Sequence, residues 1–172
     1  RVILNGPHLM TTTAPETQIE GYLEMLQRFY EEEIEGSAYF DALAERFSQA
    51  EQRRKMHLMA QVERYAAAAA APLLAKYHLI TRDAAVLQAS GHKHAQNVTA
   101  DWPALISEMR RTFPDYMPEF LAIEVLAPPQ DLPQLKMLTA HEIAAIAFLE
   151  AEAKGDPDSD APLINYLRTG TA

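Results

Sequence analysis

The stretch EIEGSAYFDALA at residues 33–44 and the stretch EIAAIAFLEAEA at residues 142–153 read almost as copies of each other. Each opens on a glutamate, Glu33 or Glu142, that falls on an apolar stripe of helical period. A carboxylate facing a helical core is costly unless something pairs with it, protonates it or is held by it. These two glutamates therefore bear on the fold and on the chemistry together.

Outward from residue 33, apolar residues step by three and four through Ile19, Tyr22, Leu26, Phe29, Phe40, Leu43 or Ala44, and Phe47, with Glu33 and Gly36 filling the gap. That period specifies a first amphipathic helix from about residue 16. Ser48 and Glu51 have capping-box spacing, so a second helix is expected from there to Tyr77, striped by Met56, Met59, Glu63, Ala66, Ala70, Leu73 and Tyr77. The alanine run 66–71 makes a smooth surface for close helix approach, and Pro72 is placed to kink the end. Residues 78–100 read as a long connection with one short helix, capped by Thr81 or Asp83 and ended by Ser90 and Gly91. Asp101 is a cap for a helix through Leu105, Ile106 and Met109, which Pro114 interrupts before a segment carrying Phe120, Leu121, Ile123, Val125 and Leu126. A last long helix is predicted over residues 132–154, with Gly155 as its stop. Leu163 to Leu167 reads as a single docked turn. No strand-like alternation occurs, so the fold class is all-α: an N-terminal arm at 1–15, a helical bundle at 16–155 and a C-terminal tail at 156–172.

Bulk properties narrow the function. The 172 residues suit one domain, 48% apolar and 23% charged. With no cysteine, thiolate metal sites, iron–sulfur clusters and cysteine nucleophiles are excluded, and a reducing, cytoplasmic compartment is expected. There is no signal-peptide pattern and no apolar run of membrane-spanning length. A net charge of −9 argues against binding a phosphate backbone. Arg53, Arg54 and Lys55 form the one basic cluster and read as a solvated face. Neither a nucleic acid nor a membrane is expected as partner, whereas the alanine- and leucine-rich faces suit self-association, as in a homo-oligomeric dimer.

Glu33 with a small residue three on and an aromatic seven on (Gly36, Phe40), followed by Glu63 within the next helix, resembles the ferritin-like superfamily, in its rubrerythrin-type branch. The resemblance covers about residues 16–154 and implies an antiparallel four-helix bundle with a long connection between helices 2 and 3. It also implies two iron or manganese ions, held by a glutamate from each of two helices and a Glu-x-x-His pair from each of the other two. Residues three apart share a helix face, so such a pair presents carboxylate and imidazole to one metal. Carried over, Glu33 matches the first-helix glutamate and Glu63 the glutamate of the first pair, but Ala66 stands in the histidine position. Glu142 has two readings. By the internal repeat it corresponds to Glu33 and belongs to the third helix, leaving no fourth ligand helix. By helix order it lies on the fourth helix, again with an alanine, Ala145, for the histidine, and Glu124 then supplies the third-helix carboxylate in preference to Glu119.

The expected metal ligands are thus Glu33, Glu63, Glu142 and Glu124. His141 beside Glu142 points about 100° away on a helix and is read as outside that shell, as is His57. His92 and His94 read as an exposed polar turn. Two function classes follow. One is a degenerate ferritin-like domain serving as a binding or structural module, favoured by the alanines at 66 and 145. The other is a carboxylate-bound iron or manganese protein with oxidase or metal-storage activity, favoured by three core-facing carboxylates that a purely structural bundle has little reason to keep. No residue pattern names a substrate, and the catalytic residues are left open.

Overall fold

The computed structural model describes residues 15–172, and the arm expected at 1–15 falls almost wholly outside them. Among the described residues seven α-helices run in order: α1 (Pro15–Ala44), α2 (Ala50–Lys76), α3 (Ala84–Gln96), α4 (Trp102–Thr112), α5 (Met117–Leu126), α6 (Leu132–Ala153) and α7 (Ala161–Thr169). Short 3-10 turns at Phe113–Tyr116 and Pro129–Asp131 lead into α5 and α6. No strand occurs among the described residues, and no described helix is long and apolar enough to cross a membrane.

The short link at residues 45–49 lays α2 along α1, and α6 lies against α2 with α4, α5 and α7 packed around it. Buried Ala66, Ala67 and Ala70 keep the middle of α2 thin where its neighbours approach. The apolar interior divides into two clusters. One holds Phe40, Leu43, Met56, Met59, Ala145, Phe148, Leu149, Leu163 and Tyr166. The other holds Tyr22, Leu26, Phe29, Ala66, Leu73, Phe120, Ile123, Leu135 and Leu138. On α1 and α2, Glu33 and Glu63 are among the residues that separate the two clusters, and on α6 His141 follows Leu138 and Ala140, where the clusters meet, so a polar layer interrupts the core.

Several expectations are revised. Gln49, not Ser48, is the N-cap of α2 and makes no side-chain capping bond, while Glu51 pairs with Arg54 instead. Asp83 caps α3 through Ala85 N at 2.7 Å, but the helix continues past Ser90 and Gly91. Gly91 is there for contact rather than termination. A Cβ on it would stand 2.3 Å from Glu35 O and 2.9 Å from Tyr39 N, so only glycine lets α3 lie so closely on α1. His92 and His94 accordingly sit on a helix, not a turn, with His94 Nδ1 3.5 Å from Glu35. The cap at Asp101 forms through Ala104 N at 3.3 Å.

The turn expected at 163–167 is a helix of nine residues, α7, whose Leu163 and Tyr166 enter the core. Nor is the basic cluster wholly solvated. Lys55 is buried against Glu152 at 2.5 Å, and Arg54 holds Asp160 at 2.7 Å, tethering the segment before α7.

Candidate metal centre

Glu33 of α1, Glu63 of α2 and His141 of α6 converge at the polar layer, with exposures of 0, 1 and 0%. One ligand atom from each lies within 4.8 Å of the other two. His141 Nε2 is 3.0 Å from Glu33 Oε2 and 3.9 Å from Glu63 Oε2. Two ligands at right angles on one ion, each ~2.1 Å from it, stand ~3.0 Å apart, so the first separation already suits a shared ion and the second needs a shift of under ~1 Å.

The imidazole is oriented by its own helix. Side chains on a helix lean toward its N-terminus, and the ring of His141 lies back over the preceding turn, with Nδ1 on the Leu138 carbonyl oxygen. A nitrogen against a carbonyl must carry the proton, so Nδ1–H donates and Nε2 faces the carboxylates. Metal-bound histidines are oriented by the same kind of bond. Phe120 meets the ring edge-on at 5.6 Å, and Tyr166 of α7 lies on another side with its centroid 6.3 Å away. The Tyr166 hydroxyl donates to Met137 O at 3.0 Å. Burial, with Glu33, Glu63 and Tyr65 nearby, raises its pKa far beyond the ordinary phenol range.

Glu63 is the strained member. Burial pushes its carboxyl up to about 8, the neighbouring Glu33 adds to the rise, and His141 offsets only part of it. Its Oε2 meets no donor beyond a proton shared with Glu33. Gly36 makes the room this carboxyl occupies: a Cβ there would lie 2.9 Å from Glu63 Oε2 and 3.3 Å from Cδ.

Of the four expected ligands, the structure brings Glu33 and Glu63 together. Glu142 is 1% exposed on α6 but lies outside the converging group. Glu124 is half-buried on α5 and accepts the Thr139 hydroxyl at 2.6 Å, also outside the group. The third converging side chain is His141, which the sequence reading set aside. A 100° offset from Glu142 excludes it only if Glu142 marks the inward face, and α6 is buried nearly all round, from Leu138 to Glu142 and again at Ala144 and Ala145. The signal for His141 was its spacing of three from Leu138 and four from Ala145, inside that same stripe. The other discounted histidine, His57, is indeed on the surface, 2.8 Å from Asp41 and 3.3 Å from Glu45.

Two carboxylates and one neutral imidazole carry a charge of −2, which one divalent cation neutralises inside an otherwise apolar interior. The donors are oxygen and nitrogen with no sulfur, a set suited to manganese, iron or zinc rather than to copper(I). No family model, no curated protein and no solved structure matches this chain.

Proposed function

We propose that the bundle binds one divalent transition-metal ion, of the iron or manganese class, between Glu33, Glu63 and His141. The observation that carries this reading is the convergence of two fully buried carboxylates with an imidazole whose Nδ1–H is already held by a backbone carbonyl. Three protein ligands leave coordination positions open, which suits a site that handles a small ligand more than one that only ties helices together. Both earlier function classes are thereby modified: the site is neither carboxylate-only nor stripped of histidine.

A ferritin-like ancestry is part of the same proposal. α2 keeps the glutamate of a Glu-x-x-His pair, Glu63, with Ala66 in the histidine position. α6 keeps a histidine, His141, with Leu138 in the glutamate position. Each pair has lost its opposite half, and α1 with its Glu33 and Gly36 completes the set. On this reading α1, α2, α4 with α5, and α6 correspond to the four bundle helices, with α3 carried by the long connection. Loss of one ligand from each pair, with Glu142 and Glu124 outside the group, favours one ion over the two of the resembled family.

The 3.0 Å contact between His141 and Glu33 also supports a second, metal-free reading: an imidazolium–carboxylate pair beside a protonated Glu63. Thermal unfolding separates the two. Under the metal reading, manganese(II) or anaerobic iron(II) raises the melting temperature of chelator-treated protein, by an amount that grows with the logarithm of ligand concentration over its dissociation constant, and Glu63→Gln abolishes the increase. An unchanged melting temperature with every ion tried leaves the ion-pair reading in place.

A further inference from the structure

A second site lies away from the polar layer. α3 is drawn onto α1 at Gly91, whereas α4 packs against α6, so the two helices diverge and a cleft of about 410 Å³ opens between Tyr39 of α1 and the face of α4. Its walls are Val98, Ala104, Leu105, Met109 and Phe113, with Thr99, Glu108 and Thr112 also lining it. Leu105, Met109 and Phe113 back onto the main apolar cluster, so that wall belongs to the core. The mouth is fixed as well. Arg46 donates to Ala95 O at 2.6 Å and to Val98 O, clamping the end of α3 that carries Val98.

Two of the polar groups around the cleft are engaged. Glu108 is held by Arg111 at 2.7 Å, and the Thr112 hydroxyl donates to Glu108 O at 3.0 Å within its own helix. Tyr39 is more than nine-tenths buried as a residue, but its hydroxyl oxygen is not among the buried orphaned atoms and forms no hydrogen bond among the described residues, so it stays open to a ligand in the cleft that Tyr39 lines. Burial pushes this phenol up to about 12, against a small opposing pull from Arg46, so it stays protonated and able to donate at neutral pH. A pocket of a few hundred cubic ångströms, mostly apolar with a small number of well-placed polar groups, is the usual form of a small-molecule site.

We propose that this cleft binds a neutral, predominantly apolar small molecule with one hydrogen-bond acceptor, such as a medium-chain ketone, ester or alcohol, whose acceptor takes the Tyr39 hydroxyl proton while its chain lies along Leu105, Met109 and Phe113. An anionic head group is disfavoured by Glu108 at the cleft and by the chain's net charge of −9. The site is independent of the metal centre. Met109 suits a wall that must adapt to a flexible chain.

The test uses the full chain with methyl-labelled methionine, Met109 assigned through Met109→Leu, and methyl hexyl ketone as probe. The ketone is expected to shift the Met109 methyl resonance saturably. Tyr39→Phe keeps the ring and weakens binding about five- to tenfold, the loss of one neutral hydrogen bond. Ala104→Trp, at an exposed position where a large side chain leaves the fold intact, fills the cleft and removes the shift. Octanoate binds at least about tenfold more weakly than the ketone. No saturable Met109 shift, or binding that survives Ala104→Trp unchanged, overturns the site. Equal affinity in Tyr39→Phe overturns the role given to the phenol, and octanoate binding as tightly as the ketone overturns the neutral ligand class.

Discussion

Asp131 and Glu63 are both buried carboxyl groups with about 1% exposure, and they are treated in opposite ways. Asp131, at the start of α6, accepts hydrogen bonds from Tyr22 Oη at 2.9 Å, Tyr77 Oη at 2.6 Å and Lys76 Nζ at 2.5 Å. Burial raises its pKa, but the bonds from Lys76, Tyr77 and Tyr22 outweigh that, and its carboxyl ends below the ordinary aspartate range. Three donors around one acceptor form a closed knot that ties α1, the end of α2 and α6 together. At the polar layer two glutamates share a single imidazole, and Glu63 is pushed up rather than down. Equal burial of Glu63, without donors enough to outweigh it, fits the proposed cation centre; equal burial of Asp131 with donors supplied makes a structural lock.

The largest expected effect comes from opening the lock. Asp131→Ala removes the acceptor from two phenols and an ammonium and should lower stability by about 3 kcal/mol, read as a shift in the urea midpoint at unchanged slope. A loss below about 1 kcal/mol would mean that the knot is incidental.

The opposite substitution, at the polar layer, should go the other way in chelator-treated protein. Glu63→Gln relieves a buried carboxyl of its ionisation penalty and should stabilise by about 1 kcal/mol at pH 8. Because the folded pKa of Glu63 lies above its unfolded value, the folded state binds more protons over that interval. Metal-free protein should therefore lose stability as pH rises from the ordinary glutamate range, near 4.5, to about 8, and Glu63→Gln should flatten that slope. Asp131 acts with the reverse sign: its lowered pKa contributes stability that is lost only as pH falls toward its folded value. Denaturation curves across pH in wild type and Glu63→Gln separate the two contributions.

Gly36→Ala tests whether the space beside Glu63 is functional. The added methyl favours the helix by up to about 1 kcal/mol but displaces the carboxyl, so stability should change little while manganese(II) affinity falls about tenfold or more. Unchanged affinity would show that the carboxyl relaxes without cost. The smallest effect belongs to Lys76→Met. Lys76 has a side chain 41% exposed, so its ion pair with Asp131 is solvent-screened and the urea midpoint should barely move, leaving the two phenols to hold the knot.

The all-α class and the main helices were legible because each carries a clear three-and-four period, and Glu33, Gly36 and Glu63 were legible because they interrupt such a period. α3 was not. Gly91 looks like a stop in one dimension, and only the 2.3 Å approach to Glu35 O reveals it as a contact glycine. α7 was underestimated because nine residues are too few for a period to show, although Leu163 and Tyr166 hold it in the core. His141 was missed for a different reason: periodicity identifies a face only when the other face is polar, and α6 offers almost none over Leu138–Ala145. The partners of Asp131 come from three separated segments, and no local pattern announces such a knot.

The most direct measurement is metal content against histidine identity. After loading with manganese(II) or anaerobic iron(II) and removal of free ion, the chain should retain about one ion per molecule. His141→Gln, in which the amide cannot reproduce the imidazole, should retain none while remaining folded by circular dichroism. Equal retention by wild type and His141→Gln, or none by either, would contradict a centre built from Glu33, Glu63 and His141.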